Sequence, residues 1–199
     1  MNYLAHAYLS FDNPEILMGN MISDFIKGKR KFDYPPAIQR GIHLHRQIDT
    51  FTDEHPATRR AKEAFRKDYR LYSGAFVDVS YDHFLANDPQ EFQERTLFTF
   101  SQQVYTSLER LNQWMPAPFA QMFPYMRDQN WLYNYHTRLG IEKSFGGVVR
   151  RAAYLTESET AAKLFAEHYQ LLQDCYRQFW KDIKLYALEQ YTLLMTDGR

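Results

Sequence analysis

The sequence contains a single cysteine, Cys175, among 199 residues. One thiol cannot form an internal disulfide, and it cannot supply the several thiolates of a structural zinc site. The chain also lacks a net charge, because 24 lysines and arginines balance 24 aspartates and glutamates. Without a general positive field we expect no nucleic-acid partner, and any basic surface must be local.

Long apolar runs are missing as well. No stretch approaches the roughly 18 consecutive apolar residues that a membrane span requires. The N-terminal sequence MNYLAHAYLSFDNPE has neither the basic start nor the small-residue cleavage site of a signal peptide. These absences predict a cytoplasmic protein without a membrane span.

Signals for β-structure are scarce, since alternating β-branched runs are few and Asn-Gly hairpin turns are missing. The sequence has no internal repeat and no glycine- or serine-rich linker. Its 45% hydrophobic and 17% aromatic content is typical of a globular protein, and its length fits one domain. We therefore predict an all-α fold, a helical bundle that forms a single domain over residues 1–199.

Prolines and glycines divide the chain into predicted helices. The predicted segments are residues 14–28, 35–55, 56–70, 74–89 and 89–114, followed by a helix from about residue 130. The prolines at 116, 118 and 124 predict a loop between the last two. Thr156 and Glu159 form a capping-box pattern, which predicts the start of a long C-terminal helix.

Histidines and aspartates stand on apolar faces of these predicted helices. Within GIHLHRQIDTFTDEHP, residues 41–56, His45 and Asp49 fall on one apolar face. Asp24 interrupts an apolar face in PEILMGNMISDFIKG, and Asp82 does so in VDVSYDHFLAND. A buried carboxylate is costly unless it is paired or binds a metal ion. If the segments converge, their imidazole and carboxylate groups predict a site for manganese, magnesium or iron.

Each of these residues has a structural alternative, as a satisfied core or surface group. Their joint occurrence on several helices favours a site. A second pattern joins Gly146-Gly147 to Arg150 and Arg151. Arginine forks match phosphate oxygens, so this pattern indicates an anion site, with a solvated helix face as the alternative.

Four motifs, MNYLAHAYLS, GNMISDFIKG, GIHLHRQIDTFTDEHP and DVSYDHFLA, resemble the acyl carrier protein phosphodiesterase family in this order. A weaker similarity extends to FGGVVRRAA. The resemblance implies an all-α fold related to the HD-domain phosphohydrolases, although the pair Asp82-His83 stands in the reverse of the usual HD order. It further implies hydrolysis of the phosphodiester that joins 4′-phosphopantetheine to a serine of holo-acyl carrier protein, which yields the apo-carrier and 4′-phosphopantetheine.

The resemblance also assigns roles to residues. A divalent ion, most readily Mn²⁺ with Mg²⁺ or Fe²⁺ as alternatives, would be held by Asp24, His45 and Asp82. Asp49 would hold the ion or orient the attacking water, and either His83 or His6 would protonate the leaving serine oxygen or stabilise phosphate charge. His83 and His6 rest on the resemblance alone. The chemistry of an anionic ester further predicts that Arg46, together with Arg150 or Arg151, holds the non-bridging phosphate oxygens.

The implied partner is a holo-acyl carrier protein, which presents an acidic helix beside the modified serine. The basic residues predicted to meet this helix are four directly beyond Asp24, namely Lys27, Lys29, Arg30 and Lys31, together with Arg150 and Arg151. Their alternative is an ordinary solvated loop. Two other functions stay open, an HD-like phosphohydrolase acting on a nucleotide or another small phosphoester, and a helical module that binds the carrier without turnover.

Overall fold

The computed structural model describes residues 1–92 and 96–196, which contain α-helices and 3-10 turns and no β-strand. The α-helices are α1 (Tyr3–Tyr8), α2 (Pro14–Ile22), α3 (Pro36–Glu54), α4 (Pro56–Tyr69), α5 (Ser73–Ala86), α6 (Leu97–Arg110), α7 (Ala117–Asp128), α8 (Trp131–Asn134), α9 (Arg138–Arg151), α10 (Glu159–Glu167) and α11 (Tyr169–Thr196). The 3-10 turns are Ser23–Phe25, Gly28–Asp33, Arg70–Tyr72 and Asn112–Trp114. The predicted all-α class is confirmed, whereas the relationship to the HD fold stays a prediction.

Helix α2 begins where the sequence predicted and ends earlier. Its first amides are capped by Asn13, whose Oδ1 accepts hydrogen bonds from the amides of residues 15 and 16. The helix stops at Ile22 rather than at Gly28. The ring of His45 donates to the main-chain oxygen of Asn20, an acceptor that a continued α-helix would use for the amide of residue 24. The chain tightens there into a 3-10 turn.

Two further predictions in the second half are wrong. The prolines at 116, 118 and 124 do not form a loop, because α7 starts directly after Pro116 and carries Pro124 inside it. Proline in the first turn of a helix removes only an amide that has no intrahelical acceptor, so Pro118 favours this start. The predicted capping box is also absent: Ser158 precedes α10, and the amide of Thr160 donates to the side chain of Glu157.

The long C-terminal run forms two helices, α10 and α11, which are interrupted at His168. The predicted segment 89–114 contains α6, which Thr96 caps by accepting from the amide of Thr99; residues 93–95 lie outside the described part of the chain. Helix α1 was not predicted, because its six residues are too few to show a helical period.

Helices α2 and α3 cross at their main chains. A Cβ atom on Gly19 would lie 2.1 Å from the carbonyl oxygen of Ile38, and one on Gly41 would lie 2.3 Å from that of Ile16. Such distances exclude any larger residue without a shift of the backbone. The crossing brings Asn20 of α2 next to His45 of α3.

The buried apolar side chains form one continuous core, in which α11 packs against α3, α4 and α5. Aromatic pairs contribute to this packing, for example Tyr81 stacked on Phe179 with ring centroids 5.0 Å apart. None of the described helices combines the length and the apolar character of a membrane span.

Candidate functional site

Two imidazoles and a carboxylate meet where α1 approaches α3. His6 comes from α1, and His45 and Asp49 come from successive turns of α3. The side-chain nitrogens and oxygens that these three residues offer as ligands lie within 4.8 Å of one another. His45 Nε2 is 3.0 Å from Asp49 Oδ2, and His6 Nε2 is 3.2 Å from Asp49 Oδ1. We call these three residues the histidine cluster.

Asp24 stands at the edge of the histidine cluster. Its Oδ1 lies 3.1 Å from His45 Nε2. The side chain is 71% exposed, so the expectation that it faces inward on an apolar stripe is wrong. The early end of α2 explains the difference, because residue 24 lies in the 3-10 turn and leaves the helical register. The cluster is therefore open to solvent on this side.

Asn20 holds both histidine rings. Its side-chain Oδ1 lies 2.7 Å from His6 Nδ1, and its main-chain oxygen lies 2.7 Å from His45 Nδ1. Because both oxygens only accept hydrogen bonds, Nδ1 carries the proton in each ring. The amide group of Asn20 is fixed in turn, since Nδ2 donates to the His6 carbonyl and to Ser10 Oγ. The Nε2 atoms of both rings consequently face Asp49.

The charges of the cluster follow from these contacts. Burial and the neighbouring His45 lower the pKa of His6 to about 4, so its ring is neutral at physiological pH. Burial opposes protonation of His45, but its bonds to Asp24 and Asp49 outweigh burial and raise the pKa of His45 to about 9. The same hydrogen bond from His45 lowers the pKa of Asp24.

Asp49 has a further cationic neighbour. The α-amino group of Met1 lies 3.3 Å from Asp49 and 3.2 Å from Asp78. Burial opposes ionisation of Asp49, yet the Met1 ammonium and the hydrogen bond from His45 hold its pKa well below the ordinary range. Both carboxylates of the site, Asp24 and Asp49, are therefore anionic at neutral pH.

The residues of this site fit a divalent metal ion. His6 Nε2 is buried and makes no aligned hydrogen bond, so its lone pair is unused. In metal sites the other ring nitrogen of a ligating histidine usually donates to an oxygen, and Asn20 provides such an oxygen to both rings. Imidazole together with carboxylate suits manganese, iron or magnesium.

Asp82, predicted as a metal ligand, is not brought to the histidine cluster. Its oxygens accept hydrogen bonds of 2.8 Å from the amide of Leu4 and of 3.1 Å from that of Ala5, at the N-terminus of α1. The side chain is completely buried. Burial raises the pKa of Asp82 to about 7, although the two amide bonds oppose the shift. The observed contacts give Asp82 the part of a helix cap.

His83 likewise lies apart from the cluster atoms. Its Nδ1 donates to the main-chain oxygen of Tyr135 at 2.8 Å, and its Nε2 lies 3.4 Å from the hydroxyl of Tyr169. The edge of the ring packs on Phe165. These contacts place His83 in an aromatic environment between α5, α10 and α11.

The predicted phosphate-binding residues fall into two places. Arg46 donates to the main-chain oxygen of Ile26 at 3.1 Å, which ties α3 to the segment that follows Asp24. Arg150 and Arg151 lie at the end of α9 and line a groove described below. Arg46 and the two arginines of α9 thus have different surroundings.

Four of the predicted docking residues are located just after Asp24, on the 3-10 turn Gly28–Asp33 and the residue before it. We call them the basic turn: Lys27, Lys29, Arg30 and Lys31. Three of them are exposed, and Lys31 is half-buried with its ammonium 5.0 Å from the ring centroid of Phe32. The charged groups of the three exposed residues are therefore accessible to a partner protein.

Sequence reasoning missed two parts of the site. Asn20 carried a usable signal, because it is the one amide side chain in the apolar run ILMGNMI. Asp78 and the Met1 ammonium carried none, since their proximity to Asp49 depends entirely on how α1, α3 and α5 pack.

The fold and these contacts define an all-α protein with an imidazole–carboxylate centre open to solvent. The family model described as acyl carrier protein phosphodiesterase matches residues 1–183. A protein of that name from Yersinia pestis is 33% identical over 90% of this chain and 94% of its own length. Proteins of the same name from Escherichia coli O45:K1 (strain S88) and Salmonella agona (strain SL483) are 31% and 30% identical, again over 90% of this chain and 94% and 92% of theirs. No solved structure shows a significant similarity.

The chain therefore belongs to the acyl carrier protein phosphodiesterase family.

Proposed function

We propose that this protein is a metal-dependent hydrolase that cleaves the phosphodiester between 4′-phosphopantetheine and a serine of holo-acyl carrier protein. The products are apo-acyl carrier protein and 4′-phosphopantetheine. The observation that carries the proposal is the histidine cluster with Asp24 at its open edge, in a chain of this family. A metal centre favours phosphodiester cleavage, because the ester is anionic and repels a nucleophile until its charge is neutralised.

The residues that would hold the ion are His6 and His45 through Nε2, together with Asp49 and Asp24. This set differs from the predicted ligands Asp24, His45 and Asp82, since His6 takes the place of Asp82 and Asp49 is added as a ligand. Mn²⁺ is the metal expected first, with Mg²⁺ or Fe²⁺ as alternatives. Such an ion, when bound, would neutralise phosphate charge and make water a stronger nucleophile.

The side chains have separate tasks in this scheme. Asp24 and Asp49 are anionic at neutral pH, so a free oxygen of either can accept a hydrogen bond from the attacking water and orient it. His45 must lose its Nε2 proton before that nitrogen can act as a ligand. Asn20 accepts from Nδ1 of both rings and so keeps Nε2 as the nitrogen that would bind the ion.

For protonation of the leaving serine oxygen we propose a source other than His83 or His6. Both ring nitrogens of His83 have other partners, the main-chain oxygen of Tyr135 and the hydroxyl of Tyr169. His6 is neutral and its only ring proton is directed at Asn20. We therefore assign the proton to water at the exposed edge of the site, next to Asp24.

The carrier protein would dock on the basic turn, which follows Asp24 in the chain and is exposed. Docking there would place the modified serine beside the open side of the cluster. Contacts of this kind act mainly on encounter and are screened over about 8 Å at physiological salt. The acidic helix of a carrier protein supplies the opposite charge.

The deciding experiment incubates the purified protein with holo-acyl carrier protein after chelation, with and without added Mn²⁺, Mg²⁺ or Fe²⁺. Mass spectrometry of the carrier measures loss of the phosphopantetheine group. We expect conversion to the apo-carrier only with a divalent ion. Binding without conversion would identify a carrier-binding module, and turnover of nucleotides alone would identify a different phosphohydrolase. Either result would overturn the proposal.

A further inference from the structure

A groove with a volume of about 540 Å³ lies between α1, α7, α8 and α9. We call it the Trp131 groove; the side chains that give it its character are Tyr3, Trp131, Tyr135, Lys143, Arg150 and Arg151. Its volume falls within the range of sites for small organic ligands. None of the side chains of the histidine cluster lines it.

The walls of the Trp131 groove combine two kinds of surface. Tyr3, Trp131 and Tyr135 supply aromatic rings, and Met122 adds an apolar thioether. Amide side chains also reach it, and Asn2 donates to the hydroxyl of Tyr135 at 2.9 Å. A ligand suited to these walls has apolar branches, amide groups and little charge along most of its length.

The opposite wall is basic and partly flat. Lys143, Arg150 and Arg151 are exposed along it. Between them Gly146 and Gly147 present only main chain, so the surface of α9 has room for a ligand there. A Cβ atom on Gly147 would approach nothing closer than Arg150, at an ordinary 3.7 Å. The wall is open because these two residues lack side chains, and the packing of α9 would tolerate a larger residue at either position.

The Trp131 groove adjoins the histidine cluster through α1. Tyr3 lines the groove, and His6 follows one helical turn later on the same face. The hydroxyl of Tyr3 lies 3.8 Å from the sulphur of Met122 on the opposite side of the groove, so α1 forms one wall of it. A ligand in the groove can therefore extend one end to the cluster.

We propose that the Trp131 groove binds the pantetheine arm of the substrate and directs the phosphate at its end to the histidine cluster. The inference rests on the proposed function and adds the place where the arm is recognised. The gem-dimethyl group of the arm would contact the aromatic wall, and its two amides would meet the amide side chains. Arg151 would stabilise the phosphate where the groove approaches Asp24.

The test fills the groove without disturbing the fold. In Gly147→Leu the new side chain enters open space on a helix, where leucine is a better helix former than glycine. The matched control is Gly74→Leu in α5, whose added Cβ would meet only the flexible end of Lys62. Helical circular dichroism and the melting temperature should be preserved in both variants.

Isothermal titration calorimetry measures the affinity for pantetheine, which lacks the phosphate and therefore reports on binding to the groove without the histidine cluster. We expect Gly147→Leu to weaken pantetheine binding by about tenfold or more, the effect of steric mismatch in a fitted site. The KM for holo-acyl carrier protein should rise in parallel, whereas Gly74→Leu should retain wild-type values. Trp131→Ala should weaken pantetheine binding as well, through loss of aromatic contact.

Equal binding of pantetheine to the wild type and to Gly147→Leu would overturn the inference, and so would failure of the wild type to bind it. The proposed function has a separate readout. The wild type could bind pantetheine, with weaker binding in Gly147→Leu, and yet release no phosphopantetheine from holo-carrier. That result would support the groove as a pantetheine site and refute the proposed hydrolysis.

Discussion

The rings of His6 and His45 are stacked, with centroids 4.0 Å apart and planes inclined by 15°. Two imidazoles at this distance disfavour simultaneous protonation, which is one cause of the low pKa of His6. The pair is held from α2 by Asn20, which contacts both Nδ1 atoms. The stacking thus depends on a residue that takes no part in the chemistry itself.

Replacing Asn20 by alanine should weaken divalent-metal binding by about 10- to 100-fold, the usual effect of removing a partner that orients a ligating histidine. The physical reason is that His6 would lose its acceptor and could change tautomer. Equilibrium dialysis with Mn²⁺ measures the affinity directly. Ser10→Ala is the matched control, because Ser10 contacts Asn20 and not the rings. Unchanged affinity in Asn20→Ala would refute this positioning role.

Metal binding should strengthen as pH rises through the titration of His45. Its pKa is raised from 6.5 to about 9, so the charged ring stabilises the metal-free protein below pH 6.5 and this contribution is lost as pH approaches 9. A ligating nitrogen must release that proton. The increase in melting temperature caused by Mn²⁺ should therefore be small near pH 6.5 and grow towards pH 9. A metal-induced shift that declines over this interval would contradict the assignment.

Asp24 and Asp82 should respond differently to replacement by alanine. Asp24 is exposed, so Asp24→Ala should change the free energy of unfolding by less than about 1 kcal/mol and abolish phosphopantetheine release. Asp82→Ala leaves the amides of Leu4 and Ala5 without acceptors in the interior, which should cost about 2 kcal/mol. Urea unfolding and the carrier assay measure the two effects. Full activity in Asp24→Ala would remove this residue from the site.

Sequence patterns predicted part of the site because that part depends on one helix. His45 and Asp49 are four residues apart in α3, so helical geometry alone brings them together. The apolar residues around Asp82 in the sequence likewise predicted that its side chain is buried, and it is. The partner of Asp82 could not be derived, since it belongs to α1, which the sequence did not reveal as a helix.

The exposure of Asp24 illustrates what a local pattern omits. A regular continuation of α2 would carry this residue inward, and the i, i+4 rule assumed such a continuation. The helix ends at Ile22 where His45 contacts the main-chain oxygen of Asn20, a contact between residues 25 positions apart. Tertiary hydrogen bonding therefore decided the boundary, and single-helix periodicity contains no information about it.

Gly41→Ala should destabilise the fold strongly. Its new methyl group would lie 2.3 Å from the carbonyl of Ile16 and force α2 and α3 apart, at a cost of about 3 kcal/mol. Urea unfolding measures the loss. Gly74→Ala provides the control, because its methyl group would meet only a lysine side chain. Equal stability of the two variants would show that the helices do not depend on contact at the main chain.

Reversing charges on the basic turn should slow the association of the enzyme with holo-acyl carrier protein. The double variant Lys29→Glu/Arg30→Glu should raise the KM for holo-acyl carrier protein and flatten its dependence on ionic strength, because attraction to an acidic helix is lost. Arg59→Glu/Lys67→Glu on the exposed side of α4 is the control of equal charge change. A loss of kcat with unchanged KM would assign these residues to the chemistry or the fold instead of docking.

Helix α1 links two parts of the site that are otherwise distant in sequence. Within six residues it carries Tyr3 on the Trp131 groove and His6 in the histidine cluster, and Asp82 fixes its first turn. A rigid segment this short cannot move at one end alone, so displacement of Tyr3 also displaces the Nε2 atom of His6. Substitutions that widen the groove for a bulkier substrate should therefore lie on α9, because substitutions on α1 would also move the metal-binding nitrogen of His6.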